Sequence, residues 1–591
     1  MLFKRFYAFS LPKYLKDFTT QQFRHISQFS PLSAECDALA VARMKQWREI
    51  KSRSMLPQPD KIARRENKKR KRDQVRLEGS NEEVLDFEVK ALLVQQKPSS
   101  LIAGEYAELP SAPERFSEIE LKIIELSSTG DGLALSPSAD HVYVVPYSIP
   151  GDVVLAKVVG QVEGRPYTTA DFVRIVKPSP KRNDSGIRCK YFSMCSGCQL
   201  QMLTYDDQLA HKKTIIEKAY RNFSGLDSSQ VPAVEDTFGS PLQYGYRTKL
   251  TPHFDGQNRK GSASLKGFTE VPPIGFSLKG RSKVMDIESC PIGTDIVQLG
   301  LTQERKRVAR DIATFKTGAT ILLRETTERI PKDNTLQQDR SSCASPLTII
   351  PQNLLDKPII RTEFPTYTES KTYTADMNGT SVEYIDDWKF TNKAGAFFQN
   401  NNSILSPFTA YIRSNAIPPL PSGPSSSALP PIKYLLDAYC GSGLFAITLS
   451  PLFRSTLGID IAPASVESAR VNAIANNVTN TGFIEADASA LFVDVPFPAD
   501  QTLVVIDPPR KGASLDFLEQ LMRFGPKRVI YVSCNVHTQA RDVGVLVRGN
   551  GEWRYRIERV RGFDFFPQTG HVEGVAFLDR EAVVKCGNAV D

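Results

Sequence analysis

The chain has 591 residues, 41% of them hydrophobic and 24% charged, with a mean hydropathy of −0.27. That length exceeds what one hydrophobic core sustains, so about three or four domains are expected, and no run approaches the roughly 20 apolar residues a membrane-spanning helix needs. A net charge of +8 leans mildly toward an acidic partner, and nine cysteines spread over this length form no disulfide scaffold, which leaves ligation or a catalytic thiol as their uses.

Residues 1–110 are expected to be a largely disordered targeting and basic extension without a core. Lys4, Arg5, Lys13, Lys16 and Arg24 stand among aromatics, Ser and Gln, with Asp17 as the one acid within residues 1–34. This composition suits a mitochondrial presequence, or a plain basic tail. Lys61–Arg76 then carries nine basic and two acidic residues, which fits a nuclear signal, a phosphate-seeking arm or a solvated helix face. The two signals compete, and localisation is read as mitochondrial, nuclear-cytoplasmic or both.

From Glu118 the pattern alternates in IELKIIEL, HVYVVPYSI, DVVLAKVV and TTADFVRIV, divided by Gly-Asp and Pro-Gly turns. About four or five short strands predict a small β-barrel over 111–178, a size that often binds single-stranded or looped nucleic acid. A mixed α+β central domain is expected over 179–385, with 326–346 as a polar surface loop. It contains Cys189, Cys195 and Cys198 in a C-x5-C-x2-C cluster, with Cys290 as a fourth candidate. Four thiolates fit zinc or an iron–sulfur cluster. Cys36, Cys343, Cys440 and Cys586 have no partner pattern.

Over 386–591 the apolar runs Leu435–Tyr439, Leu457–Ile461, Leu503–Ile506 and Arg528–Val532 read as buried parallel strands alternating with helices such as ASVESARVNAIANN. This predicts an α/β, doubly wound, Rossmann-like domain. A flexible Pro/Ser insert, 418–431, precedes its first strand. The turn Asp437-Ala-Tyr439-Cys-Gly-Ser-Gly443 follows that strand, where glycines let backbone approach a ligand. Asp460 ends the next strand, placed for ribose hydroxyls, and Asp487 follows the third, placed for an adenine amino group. The loop lacks the full G-x-G-x-x-G spacing, which favours a cofactor without a pyrophosphate, such as S-adenosylmethionine. Asp507-Pro-Pro-Arg510 closes the fourth strand, Ser533-Cys534-Asn535 the fifth, and His571-Val-Glu573 lies near the C-terminus, so a thiol and an acid share one sheet edge.

At these residues the sequence resembles the RNA uracil-5-methyltransferase family, which includes tRNA 5-methyluridine-54 enzymes and 23S rRNA enzymes. The matching pieces are FFQNN at 397–401, DAYCGSG at 437–443, DPPRKG at 507–512, SCN and ARDV within 533–543, and FPQTGHVE at 566–573. Together they place the similarity over about residues 115–580. The resemblance implies a TRAM barrel, a class I methyltransferase domain and transfer of a methyl group to C5 of a uridine. Cys534 takes the nucleophile's place and Glu573 the base's, while Gln399, Tyr439, Asp460 and Asp507 fall on cofactor-binding positions. It also implies a [4Fe–4S] cluster on Cys189, Cys195, Cys198 and Cys290, and an RNA-facing segment at Arg247 and Lys249, for which plain surface charge is the alternative. Asp460 departs from the family's usual Glu, and Asn535-Val536 from its usual Asn-Pro. His571 is open to orienting Glu573, contacting RNA or packing.

The expected substrate is the tRNA T-arm, whose loop already splays its bases. The expected state is a monomer with no obligate protein partner and no membrane association. An rRNA-directed enzyme and a non-catalytic RNA-folding or scaffold protein are the alternatives, and two intact reactive residues weigh against the latter.

Overall fold

The computed structural model describes residues 79–583 except 97–113, 163–164, 257–266, 333–345, 352, 354–355, 419–430, 487–491 and 493–494. The presequence-like stretch, the basic run 61–76, most of the Pro/Ser insert and Asp487 therefore lie outside the described residues, as do Cys36, Cys343 and Cys586. Among the described residues no helix is long and apolar enough to cross a membrane.

The coreless reading of 1–110 is corrected at its end. Asn81–Gln96 is a helix whose Leu85, Val89, Leu92 and Leu93 pack on Leu133, Val142, Val144 and Tyr167. Apolar residues recur every four positions there, and Ser80 caps the first turn by accepting from the Glu83 N–H. That pattern is a helix signal by the usual periodicity and capping rules.

Residues Glu118–Lys177 form six strands in one continuous sheet. Its two edge strands, Glu118–Lys122 and Glu125–Leu126, are separated by only Ile123 and Ile124, so the sheet must curl back on itself. The central region holds helices Tyr205–Phe223 and Asp295–Asp311 and two small sheets. The expected loop at 326–346 is corrected in its first part, because Leu323–Pro331 is a strand. Its buried residues include Arg324, Glu325 and Thr327, and Arg324 pairs with buried Glu383. A strand that buries paired charge carries no apolar run for a sequence reading to detect.

The domain boundary at 385/386 falls inside a hairpin, Thr380–Ile385 with Trp388–Lys393. The Lys389 and Thr391 N–H groups donate to Asn476 and Asn472, both 2.8 Å, tying this hairpin to the C-terminal domain. That domain is built on an eight-stranded sheet in the order Thr481–Glu485, Ser455–Asp460, Tyr434–Ala438, Thr502–Ile506, Arg528–Ser533, Glu573–Ala582, Trp553–Phe563 and Glu235–Phe238. The first five are mutually parallel, and Glu573–Ala582 runs antiparallel to both neighbours. The last strand is lent by the central region.

Alternate strand residues feed two cores: Val504 and Ile506 join the helices Leu515–Phe524 and Val536–Arg548 on one face, and Leu503 and Val505 join Phe408, Phe445 and Val466 on the other. Layers on both faces of a mainly parallel sheet make this an α/β doubly wound domain.

Candidate active site

The parallel strands all end at one edge. Asp460 closes Ser455–Asp460, Tyr439 follows Tyr434–Ala438, Asp507 follows Thr502–Ile506 and Cys534 follows Arg528–Ser533. Glu573 opens the antiparallel strand at that same edge. Ser533 pairs with Gly574 at the last rung of that ladder; Cys534 follows directly on one strand and Glu573 precedes Gly574 on the other, close enough that the glutamate charge acts on the thiol. The strand order reverses between Tyr434–Ala438 and Thr502–Ile506, the switch point at which open α/β sheets hold ligands.

At this switch point Tyr439 adopts φ 71°, followed by Gly441 at 54° and Gly443 at 92°. The backbone leaves open space where a Gly441 side chain would stand, whereas a Cβ on Gly443 would lie 3.0 Å from Ile447. Asp460 accepts from the Gly441 N–H at 3.0 Å through one oxygen and from the Ala462 N–H at 2.8 Å through the other, so the shorter acid ties the glycine turn to the backbone just past its own strand. Beneath it Asp437 is fully buried, accepts from the Ala446 N–H at 2.8 Å through one oxygen and leaves the other unpartnered. Burial pushes its carboxyl up to about 8. Gln399 is buried in the segment beside Phe398, which shares a core cluster with Cys440 and Leu444. The open turn and the acids around it suit a cationic nucleoside cofactor.

At the reactive end, burial, then the charges of Glu573 and Asp507, push the Cys534 thiol up to about 12; Arg510 opposes this by charge and by a hydrogen bond to the thiol. Glu573 is 2% exposed with one unpartnered oxygen, and burial with Asp507 holds it well above the usual carboxylate range. Burial likewise lifts Asp507 to about 7. A cavity of about 470 Å³ opens onto Cys534, with Arg510, Lys511, Thr129, Gln199 and His571 on its walls. His571 packs edge-on against Phe566, and burial followed by the charge of Arg510 drops its imidazole to about 4, so it is neutral near pH 7.

Both reactive loops are pinned from a distance. Gln539 donates to the carbonyls of Tyr531 at 2.8 Å and Gly574 at 2.9 Å, clamping the strands that carry Cys534 and Glu573. Asp542 accepts from the Ala513 N–H at 2.7 Å and from the Tyr531 hydroxyl at 2.6 Å, which anchors the loop after Arg510. The stretch before Glu573 is held by the central region. Lys212 forms a fully buried ion pair with Asp564, the Gln199 and Leu200 N–H groups donate to the Gln568 carbonyl, and the Tyr246 hydroxyl donates to the Pro567 carbonyl at 3.1 Å.

Arg510 and these supports carried no role in the sequence reading. The basic character of Arg510 inside DPPRKG was the available signal, while Lys212 is one lysine of an ordinary amphipathic helix. Arg247 and Lys249 are half-buried and engaged within the protein: Arg247 Nε donates to the Lys249 carbonyl at 3.1 Å, and Lys249 Nζ to the carbonyls of Gly395 and Ala396. Cys440 is buried in the core behind the glycine turn.

Cys189, Cys195, Cys198 and Cys290 are free and half-buried. They lie close enough that Cys198 and Cys290 each feel the charges of Cys189 and Cys195. Among the described residues, however, no group of three or more such side chains is arranged to hold a metal ion. As placed, the thiols gather without forming a ligand set.

A family model described as tRNA (Uracil-5-)-methyltransferase matches residues 431–495 and 498–581. The tRNA (uracil(54)-C(5))-methyltransferase of Schizosaccharomyces pombe is 43% identical over 527 residues, 88% of this chain and 87% of that protein. The Saccharomyces cerevisiae protein of the same name is 39% identical over 534 residues, 84% of this chain and 81% of its own. The crystal structure of Pyrococcus abyssi tRNA (uracil-54, C5)-methyltransferase in complex with S-adenosyl-L-homocysteine shares the fold with a TM-score of 0.51 and 23% identity, covering 78% of this chain and all of that one. With likeness at this level running over most of its length, the chain belongs to the tRNA (uracil-5-)-methyltransferase family.

Proposed function

We propose that this chain methylates C5 of a uridine in RNA, with uridine 54 of the tRNA T-loop as its target and S-adenosylmethionine as methyl donor. One observation carries the reading: Cys534, on the wall of a cavity open to a base, lies within reach of the Glu573 charge at the sheet edge that also carries Asp460, Tyr439 and Asp507. The choice of uridine 54 is supported by the two fungal relatives, both named for that position.

Gln399, Tyr439, Asp460 and Asp507 would hold S-adenosylmethionine, which would supply the methyl group on its sulfonium. The Cys534 thiolate bonds to C6 of the uracil, and the C5=C6 electrons move toward the C4 oxygen, leaving C5 nucleophilic. After C5 is alkylated, the Glu573 carboxylate takes the C5 proton, the C5=C6 bond re-forms and the C6–sulfur bond breaks. Arg510 favours the thiolate by charge and hydrogen bonding. The curled sheet of residues 118–177 is read as a TRAM-type RNA-binding barrel, and the N-terminal signals as mitochondrial or nuclear targeting. The thiol loop is read as an iron–sulfur or zinc site with a structural role, on the strength of its spacing and convergence; iron, sulfide and zinc analysis of anaerobically purified protein tests it.

The decisive experiment incubates the protein with tRNA containing 5-fluorouridine and S-adenosylmethionine. A denaturation-resistant complex is expected, mapping to position 54 and absent in Cys534→Ala. Methyl transfer by Cys534→Ala at an ordinary rate would overturn the mechanism.

A further inference from the structure

The helix Asn81–Gln96 does more than cover the sheet of residues 118–177. The Asn535 side-chain amide, one residue past Cys534, donates to the Gly79 carbonyl at 3.1 Å and to the Arg510 carbonyl at 2.9 Å. Gly79 has φ +67°, and a Cβ there would stand 2.4 Å from Thr538 Cγ2 and 2.8 Å from Asn535 Nδ2, so only glycine fits. The Gly79 N–H in turn donates to Glu83 in the first helical turn.

The helix itself is firmly seated. Buried Glu88 accepts from the Ser128 N–H at 2.9 Å and lies 3.3 Å from Lys218, which also pairs with Glu125 at 2.5 Å. Phe87 contacts Phe223, with centroids 4.7 Å apart, and Phe223 contacts His537 at 5.1 Å. Ser80 and Asn81 stand on the wall of the cavity that holds Cys534.

The loop being gripped has a local weakness. Asn535 is the N-cap of helix Val536–Arg548, so Val536 is its first residue, the position where proline fixes the entry angle without losing a hydrogen bond. Valine supplies no such restraint. Asn535 has φ −133° and ψ 94°, outside the α region that a following proline disfavours.

Resting on the reading of Cys534 as nucleophile, we propose that Gly79 and the turn it opens form a latch that positions the Cys534–Val536 loop, replacing from outside the stiffness that its sequence lacks. Gly79 is thus a positioning residue for the reaction, supplied by a segment far upstream of the methyltransferase domain.

The test uses the full chain carrying Gly79→Ala, alone and with Val536→Pro. Adduct formation with 5-fluorouridine tRNA in Gly79→Ala is expected to slow by roughly ten- to a hundredfold, the effect of a small misplacement of a reacting group. Affinity for S-adenosylhomocysteine should stay near wild type, while the melting temperature falls by a few degrees from the strain at the turn. The double variant is expected to recover most of the rate, which a general loss of stability would not allow. An adduct rate within twofold of wild type in Gly79→Ala, or no recovery in the double variant, overturns the latch. Should Gly79→Ala fail to fold, Glu88→Gln, which loosens the helix without touching the loop, is expected to slow the adduct step less strongly with cofactor affinity intact; an unchanged rate there also overturns it. If the wild type methylates tRNA but forms no adduct, the nucleophile assignment fails instead, and the latch is judged on the methyl-transfer rates of the same variants.

Discussion

Replacing Glu573 by glutamine separates two steps that the structure couples. The side chain is 2% exposed and keeps one oxygen without a partner, so the isosteric amide fits the same space and leaves no cavity. The glutamate charge is the second cause, after burial, of the high Cys534 pKa. An amide therefore brings the thiol pKa down and leaves formation of the C6 adduct as fast as in wild type or faster. Proton removal from C5 is lost, and a positioned general base contributes about 10²–10⁴ in rate, or roughly 3–5 kcal/mol of barrier. Glu573→Gln should thus turn over about a hundred- to ten-thousandfold more slowly while accumulating a complex with unmodified tRNA in which the methyl group has already been transferred. Rapid quench with labelled cofactor, followed by denaturing gels, measures both steps. Turnover within tenfold of wild type, or slow turnover without an accumulated complex, would show that Glu573 is not the base.

Arg510→Gln removes a group that favours the Cys534 thiolate by charge and hydrogen bonding; a charge-assisted hydrogen bond contributes about 1.5–3 kcal/mol, so adduct formation should slow by roughly ten- to a hundredfold, with part of the rate regained as the pH is raised. Asp437 is held near 8 by burial, above its unfolded value. Its contribution to stability is therefore full below about pH 4 and lost as pH rises through about 8, a change on the order of 5 kcal/mol. Urea unfolding of Asp437→Asn at pH 5 and 8.5 should lack that decline, because the amide oxygen can still accept from the Ala446 N–H. Arg324→Met strands Glu383 in the core and should cost about 3–5 kcal/mol, read as a lower melting temperature.

What the sequence disclosed and what it hid divide along a physical line. The parallel strands were legible because strands buried on both faces must be apolar runs, and Leu503–Ile506 and Arg528–Val532 are such runs. The candidate reactive residues stood out because the proposed transient bond to a pyrimidine needs a thiol and a base of defined type, and SCN and HVE hold such residues in short motifs. The strand Leu323–Pro331 was hidden because its buried face is charged and internally paired. The helix Asn81–Gln96 was missed within the region read as coreless: its four-residue apolar period sits among polar, charge-patterned neighbours that mask it.

The supports of the site were hidden for a different reason. Lys212 with Asp564, Gln208 with Gln568 at 3.0 Å and Asn535 with Gly79 join positions separated by about 350 to 460 residues. Each is an ordinary donor or acceptor whose type is fixed only by its partner, so neither half announces the other. Chemistry restricts what a reacting residue can be, whereas a positioning contact restricts only that two groups match. A family motif therefore exposes the reacting atoms of this enzyme long before it exposes what holds them, and a departure such as Asn535-Val536 is neutral or damaging according to contacts made elsewhere in the chain. Here the Gly79 carbonyl supplies such a contact one residue from the thiol.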